Sequence, residues 1–356
     1  MKQPTKLEII NYSTLDETYE LFGRTHYIRV DTNLKGFLEQ LDYWEEQYKV
    51  DNMRNGYTPK LFFRGVSEAK YNLYNSSQVY YISNQDKLFL PQVNIPNYDR
   101  QVNDHYDTFV SFLIEETIKS DQDSVQRFLA KNNFSKENAL PFLSFMQHYG
   151  IPTPLLDFSL NKYASLFFAQ DGISNTIATD SLSDNEIDNY FALYLVAEVT
   201  KPLLFMRENV HPELVQYYRS LKISYNQLGK SRLMVFGHND NQFQMINNDR
   251  IIFQEGLFIY NSHITWPLEY HYFNIVNLQP SFQEVYNRVN PNFPIQDAEK
   301  KIGWCIHIHK RLIPELRDIL IEKGITRDKV YPDKSLDRDP IITKVIERLR
   351  LRSELL

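Results

Sequence analysis

The stretch Tyr190-Phe-Ala-Leu-Tyr-Leu-Val-Ala-Glu-Val199 is the strongest single constraint on the fold, because it is apolar on both faces. An ordinary half-buried strand alternates apolar and polar residues. A strand with no polar face must be covered on both sides and belongs in the middle of a sheet. Arg24–Val30 alternates and reads as a further strand, as does Trp304–His309. Leu61-Phe62-Phe63-Arg64-Gly65, Arg250–Tyr260 and Leu268–Val276 complete the set of expected strands.

Helical periods lie between and beyond them. Leu34, Phe37, Leu38, Leu41, Trp44 and Tyr48 recur at helix spacing after the caps Asp31-Thr32-Asn33. Stripes within 105–150 predict a helical region that ends at Gly150 and Pro152. Residues 161–169, 312–323 and 337–356 are also expected to be helical. Residues 67–104 and 172–189 read as polar loop. The order predicts an α+β fold, a mixed and mostly antiparallel sheet with the helices of 105–150 inserted between strands. The expected division is an N-terminal extension over 1–60 packed on a core domain over 61–335, then a C-terminal helix over 336–356.

The chain has 356 residues, 42% hydrophobic and 24% charged, with net charge −6. That balance suits a globular core and argues against a protein that coats nucleic acid electrostatically. The apolar start Leu7–Ile10 is too short for a signal-peptide core, and no stretch has the length of a membrane span. A cytoplasmic location with no membrane partner is expected.

Several motifs have plain structural readings. His307 and His309 share a strand face, but no spacing supplies further metal ligands, so a half-exposed strand face is expected and no metal. Cys305, read as lying on the opposite face, is expected to be a buried thiol. No G-x-G-x-x-G, Walker loop or G-x-S-x-G occurs.

Two segments resist such readings. Arg64 interrupts an apolar run, and an unpaired guanidinium is costly to bury. It must meet either a carboxylate or an anionic ligand. Gly65 beside it allows close approach. The segment from Gln147 to Ser159 reads as a helix end, a stiff Pro-x-Pro turn and a capped helix start. Asp157 and Ser159 would then sit near free backbone N–H groups. Gln147, His148, Asp157 and Ser159 gathered around that turn make a polar site.

At these residues the sequence resembles the FRG-domain family. Phe63-Arg64-Gly65 matches its Phe-Arg-Gly motif. Gln147, His148, Gly150, Pro152, Thr153, Leu155, Leu156, Asp157, Phe158 and Ser159, with Phe168 and Ala169, match its second signature. Arg250, Gln254, Gly256 and Phe258 match a third motif, and Gly324-Ile325 with Tyr331-Pro332-Asp333 a fourth. Pro154 stands where the family usually has arginine, and Val66 where it often has Gln. Any contact that arginine makes in relatives is therefore missing here.

The layout also resembles ADP-ribosyltransferases, which implies an order of Arg64, then Ser159 or Asp157, then Gln254 or Glu255. In that reading NAD is the substrate, bond cleavage passes through an oxocarbenium-like state, and a nucleic acid or protein is the acceptor. Arg64, Gln147, His148, Asp157 and Tyr71 would bind the nucleotide, and Arg64, Ser159, Gln254 and Glu255 would serve the reaction. The competing expectation is a non-catalytic module that senses a nucleotide or a nucleic-acid end through Arg64 and the aromatic stretch 71–81.

Overall fold

The computed structural model describes residues 7–24, 26–52, 60–90, 98–132, 139–173, 185–197, 234–237, 254–261, 264, 267–269, 303–330 and 338–354. Among the described residues the strands are β1 (Tyr27–Val30), β2 (Leu61–Val66), β3 (Leu155–Ser159), β4 (Tyr190–Ala197), β5 (Met234–Gly237), β6 (Gly256–Tyr260) and β7 (Gly303–His309). They form one sheet in the order β1-β7-β4-β2-β3-β6-β5. β1 runs parallel to β7 and every other pairing is antiparallel. The fold is α+β with a mixed, mostly antiparallel sheet.

β4 sits where its sequence demands. All eight of its residues are buried, and it pairs along its length with β2 on one side and β7 on the other. One sheet face packs Phe63, Leu193 and Ile306 against the helices α2 (Leu34–Asn52), α7 (Lys162–Asp171) and α8 (Ile313–Glu322). The other packs Phe62, Tyr194 and Cys305 against residues of α1 (Leu15–Phe22) and the segment around Leu73.

A separate helical layer holds α3 (Ser76–Ser83), α4 (Tyr98–Ile118), α5 (Asp123–Asn132) and α6 (Ala139–His148). α4 to α6 are the insertion expected between strands, here between β2 and β3. After the short α9 (Arg327–Val330), the last helix α10 (Asp339–Ser353) docks on α4. Ile341, Val345 and Leu349 are buried there, and Arg348 bonds Glu115 and Glu116 while stacking 3.7 Å over the Phe112 ring. No helix among the described residues is long and apolar enough to cross a membrane.

Several expectations need correction. The loop expected over 67–104 contains α3, opened by a reciprocal capping box between Asn75 and Gln78. Asp157 and Ser159 do not cap a helix; they lie on strand β3, and Asn161 caps α7 through its side chain. Leu268 and Glu269 are helical rather than extended, and 270–276 fall outside the described residues. So do Arg250 and Tyr331-Pro332-Asp333. His307 and His309 are fully buried, not half exposed. Cys305 is buried as expected, but the two-residue period puts it on the same face as the histidines, opposite Tyr194, Ala192 and Tyr190 in the register.

Candidate functional site

β2 and β3 are neighbours, yet they pair only at Phe63 and Ser159. β2 runs on through Arg64, Gly65 and Val66, still paired to β4. β3 stays paired to β6 from Leu155 to Ser159. The sheet therefore forks, and a cavity of about 290 Å³ opens at the fork. That volume lies just below the range for small-molecule sites, roughly 300–1,000 Å³.

Gly65 fixes one wall. A Cβ there would lie 1.8 Å from the Ser165 carbonyl oxygen and 2.9 Å from Ala169 Cβ. The backbone of α7 is laid directly on β2, and the Ser165 hydroxyl donates to the Phe63 carbonyl at 2.9 Å. Only glycine permits that contact. Phe168, on the same helix, reaches the cavity half-buried.

α6 supplies the second wall. Its end is closed by Gly150 in the left-handed region (φ 75°) and by the Ile151 N–H donating to the Met146 carbonyl at 3.0 Å. This leaves Gln147 and His148 on the last turn, facing β3. Gln147 Nε2 donates to Asp157 Oδ2 at 2.7 Å. Its Oε1 accepts from Thr153 Oγ1 at 2.5 Å and Ser76 Oγ at 3.1 Å. A carboxylate on a strand is thus fixed by an amide whose own orientation is fixed. His148 packs edge-on against Phe258, ring centroids 5.7 Å apart.

Arg64 spans the fork. Nη1 donates to the backbone carbonyl of Asp157 at 2.6 Å. This bond replaces a missing rung of the sheet. Arg64 is half-buried and forms no ion pair among the described residues; its Nε is buried there without a partner. Burial pulls the guanidinium below its ordinary pKa, offset by the charges of Asp157 and Glu269. Arg64 lines the cavity, and among the described residues Nη1 is the one guanidinium nitrogen with a hydrogen bond.

The other expected site residues divide. Ser159 and Gln254 line the cavity, but their polar atoms are engaged elsewhere. Ser159 Oγ lies 2.5 Å from the Gln254 carbonyl and 3.0 Å from the Asn161 carbonyl, and accepts from the Asn161 N–H at 2.8 Å. Gln254 Nε2 donates to the Val330 carbonyl at 3.0 Å. Glu255 is exposed and outside the cavity lining, in a left-handed turn residue (φ 46°) just before β6, with Oε1 accepting from Asn161 Nδ2 at 3.3 Å. Gln254, not Glu255, faces the cleft. Tyr71 is 42% exposed and lies outside the lining as well. Reading the motifs alone missed Phe168 and Ser165 as walls. Their spacing from Gly65 becomes meaningful only once α7 is seen to lie on β2.

Pro154, in place of the family's usual arginine, is buried, and its carbonyl accepts from the Asn261 N–H at 2.9 Å. It is not part of the cavity lining. Neither a curated protein nor a solved structure matches the chain. Residues 59–176, which run from the start of β2 past α7 and contain Arg64, Gln147, Asp157 and Ser159, match the family model described as the FRG domain: the chain carries an FRG domain.

Proposed function

We propose that the cleft at the β2–β3 fork binds a nucleotide-type ligand, with Arg64 taking the anionic group. The observation that carries this reading is the state of Arg64. It is a half-buried guanidinium on the wall of a cavity, with one hydrogen bond among the described residues, to a backbone carbonyl. A planar set of charged donors with no carboxylate partner among the described residues suits phosphate recognition. Phe168 and Phe158 line the same space and offer flat apolar contact for a ring.

Calorimetry of the full chain against a panel of nucleotides tests it. Arg64→Lys keeps the charge but loses the fork, and is expected to weaken binding at least tenfold with little change in melting temperature. A chain that binds no member of the panel would sink the reading.

A second reading, NAD-dependent glycosyl transfer to a nucleic-acid or protein acceptor, is favoured by the convergence of Arg64, Ser159 and Gln254 on one cavity. Its weakness is the carboxylate. Glu255 is turned to solvent, so Asp157 is the acidic group left in the lining to stabilise an oxocarbenium-like state. Release of nicotinamide from labelled NAD, lost in Asp157→Asn, is the result it requires.

A further inference from the structure

We infer that the cleft selects a ribonucleoside monophosphate, with the ribose hydroxyls donating to Asp157 while Arg64 holds the phosphate; this rests on the nucleotide reading of the cleft. The inference comes from one residue that fixes two opposite poles. The backbone carbonyl of Asp157 holds Arg64 Nη1 at 2.6 Å. The same residue lines the same cavity, and its carboxylate is bonded to Gln147, another lining residue. Donor and acceptor poles therefore meet at one residue on the wall of one cavity.

The carboxylate is also built for use. Gln147 holds Oδ2, and Ser76 and Thr153 hold Gln147. Among the described residues Oδ1 has no hydrogen-bond partner. An ionised carboxylate accepts only. It repels a bare phosphate or a run of phosphates and welcomes hydroxyl donors placed beside a single anionic group. A ribose phosphate has that arrangement, and a carboxylate on ribose hydroxyls is an established mode of nucleotide recognition. A cavity of about 290 Å³ suits one mononucleotide better than both halves of a dinucleotide. Phe168 supplies the apolar wall for the base.

The test is calorimetric titration of the full chain with the four ribonucleoside 5′-monophosphates, their 2′,3′-dideoxy counterparts, the free nucleosides, inorganic phosphate and NAD. The expected result is at least one monophosphate bound tenfold or more tightly than its dideoxy counterpart, its nucleoside and inorganic phosphate. Asp157→Asn is expected to bring the ribo-to-dideoxy ratio close to one. If that variant does not fold, the wild-type ratio decides alone. Equal binding of ribo and dideoxy forms overturns the assignment of Asp157 and leaves the nucleotide cleft standing. Tight NAD with weak monophosphates overturns the size class and also leaves the cleft standing. Inorganic phosphate bound as tightly as any monophosphate overturns the role of the carboxylate. Failure of every nucleotide overturns this inference and the nucleotide reading together.

Discussion

Arg64 and Glu269 are both ionisable side chains enclosed by the apolar layers of one molecule, and they are held in opposite ways. Glu269 is fully buried, and the protein meets its needs: the Leu73 N–H donates to both carboxylate oxygens at 3.0 and 2.9 Å, and the Tyr12 hydroxyl to one of them at 3.2 Å. It ties the N-terminal segment to the stretch that leads into α3. Arg64 is half-buried, lines a cavity and has, among the described residues, one bond, to a carbonyl. A buried ionisable group whose hydrogen-bond partners the protein supplies is a structural device. A charge left mostly unsatisfied beside empty space is held ready for something else. Burial raises one group and lowers the other, so a perturbed proton affinity alone does not separate the two roles. What separates them is who supplies the partners.

The largest expected effect tests whether the open side depends on the contact between α7 and β2. Gly65→Ala puts a methyl group 1.8 Å from a backbone oxygen, which no rotamer change relieves. Destabilisation of about 3 kcal/mol or more is expected by chemical denaturation, since helix and strand must separate. A cost under about 1 kcal/mol would mean the fork is looser than drawn.

The sealed side is tested by pH. Burial raises the Glu269 carboxyl from its ordinary 4.5 to about 7, against the hydrogen bonds that favour its ionised form. The folded chain then holds this proton over a range where the unfolded chain has released it. The stabilisation is complete below about pH 4.5 and is lost as pH rises through about 7. The loss from this one group is about 3 kcal/mol between those limits. Glu269→Gln keeps an acceptor for Leu73 and Tyr12 and has no proton to lose. It is expected to remove this group's share of the slope in denaturation experiments at pH 5 and pH 8. An unchanged slope in the variant would assign the pH dependence elsewhere.

How far these two roles were legible in the sequence follows from the same physics. β4 announced itself because it has no polar face to misplace. Arg64 was visible because a charge in an apolar run has to be explained wherever the strand goes. Asp157 was found as a residue but placed on the wrong element. Flanking prolines and polar side chains imitate a helix start, and the strand's partners, Phe258 and its neighbours, lie about a hundred residues on. α3 was hidden by its tyrosines and serines, although Asn75 and Gln78 carried a capping signal. The exposed Glu255 was undecidable from alternation, because a residue at φ 46° breaks the two-residue period on which alternation depends. Glu269 gave no sign, since a glutamate in the mixed stretch Pro267-Leu268-Glu269-Tyr270-His271 looks like a surface residue until the fold closes over it.

Gln147 gives a smaller effect and links the two sides of the comparison. Gln147→Ala removes the donor to Asp157 and the acceptor for Thr153 and Ser76. A stability loss of about 1–2 kcal/mol is expected for a partly buried amide of this kind. Ligand affinity should fall as well, because the carboxylate loses its support. A loss of stability with affinity intact would detach Asp157 from the binding role.

The smallest expected effect is the most discriminating for chemistry. Glu255→Gln changes a side chain that is exposed, outside the cavity lining and bonded only to Asn161 among the described residues. Surface changes of this type fall within about 0.5 kcal/mol of neutral. Nucleotide affinity is expected to hold within about twofold, since the Asn161 contact can form with an amide oxygen too. If Glu255→Gln instead abolished nicotinamide release from NAD, the turn before β6 would have to swing its carboxylate into the fork when ligand binds. The line between a residue that shapes the cleft and one that works in it would then move from Asp157 to Glu255.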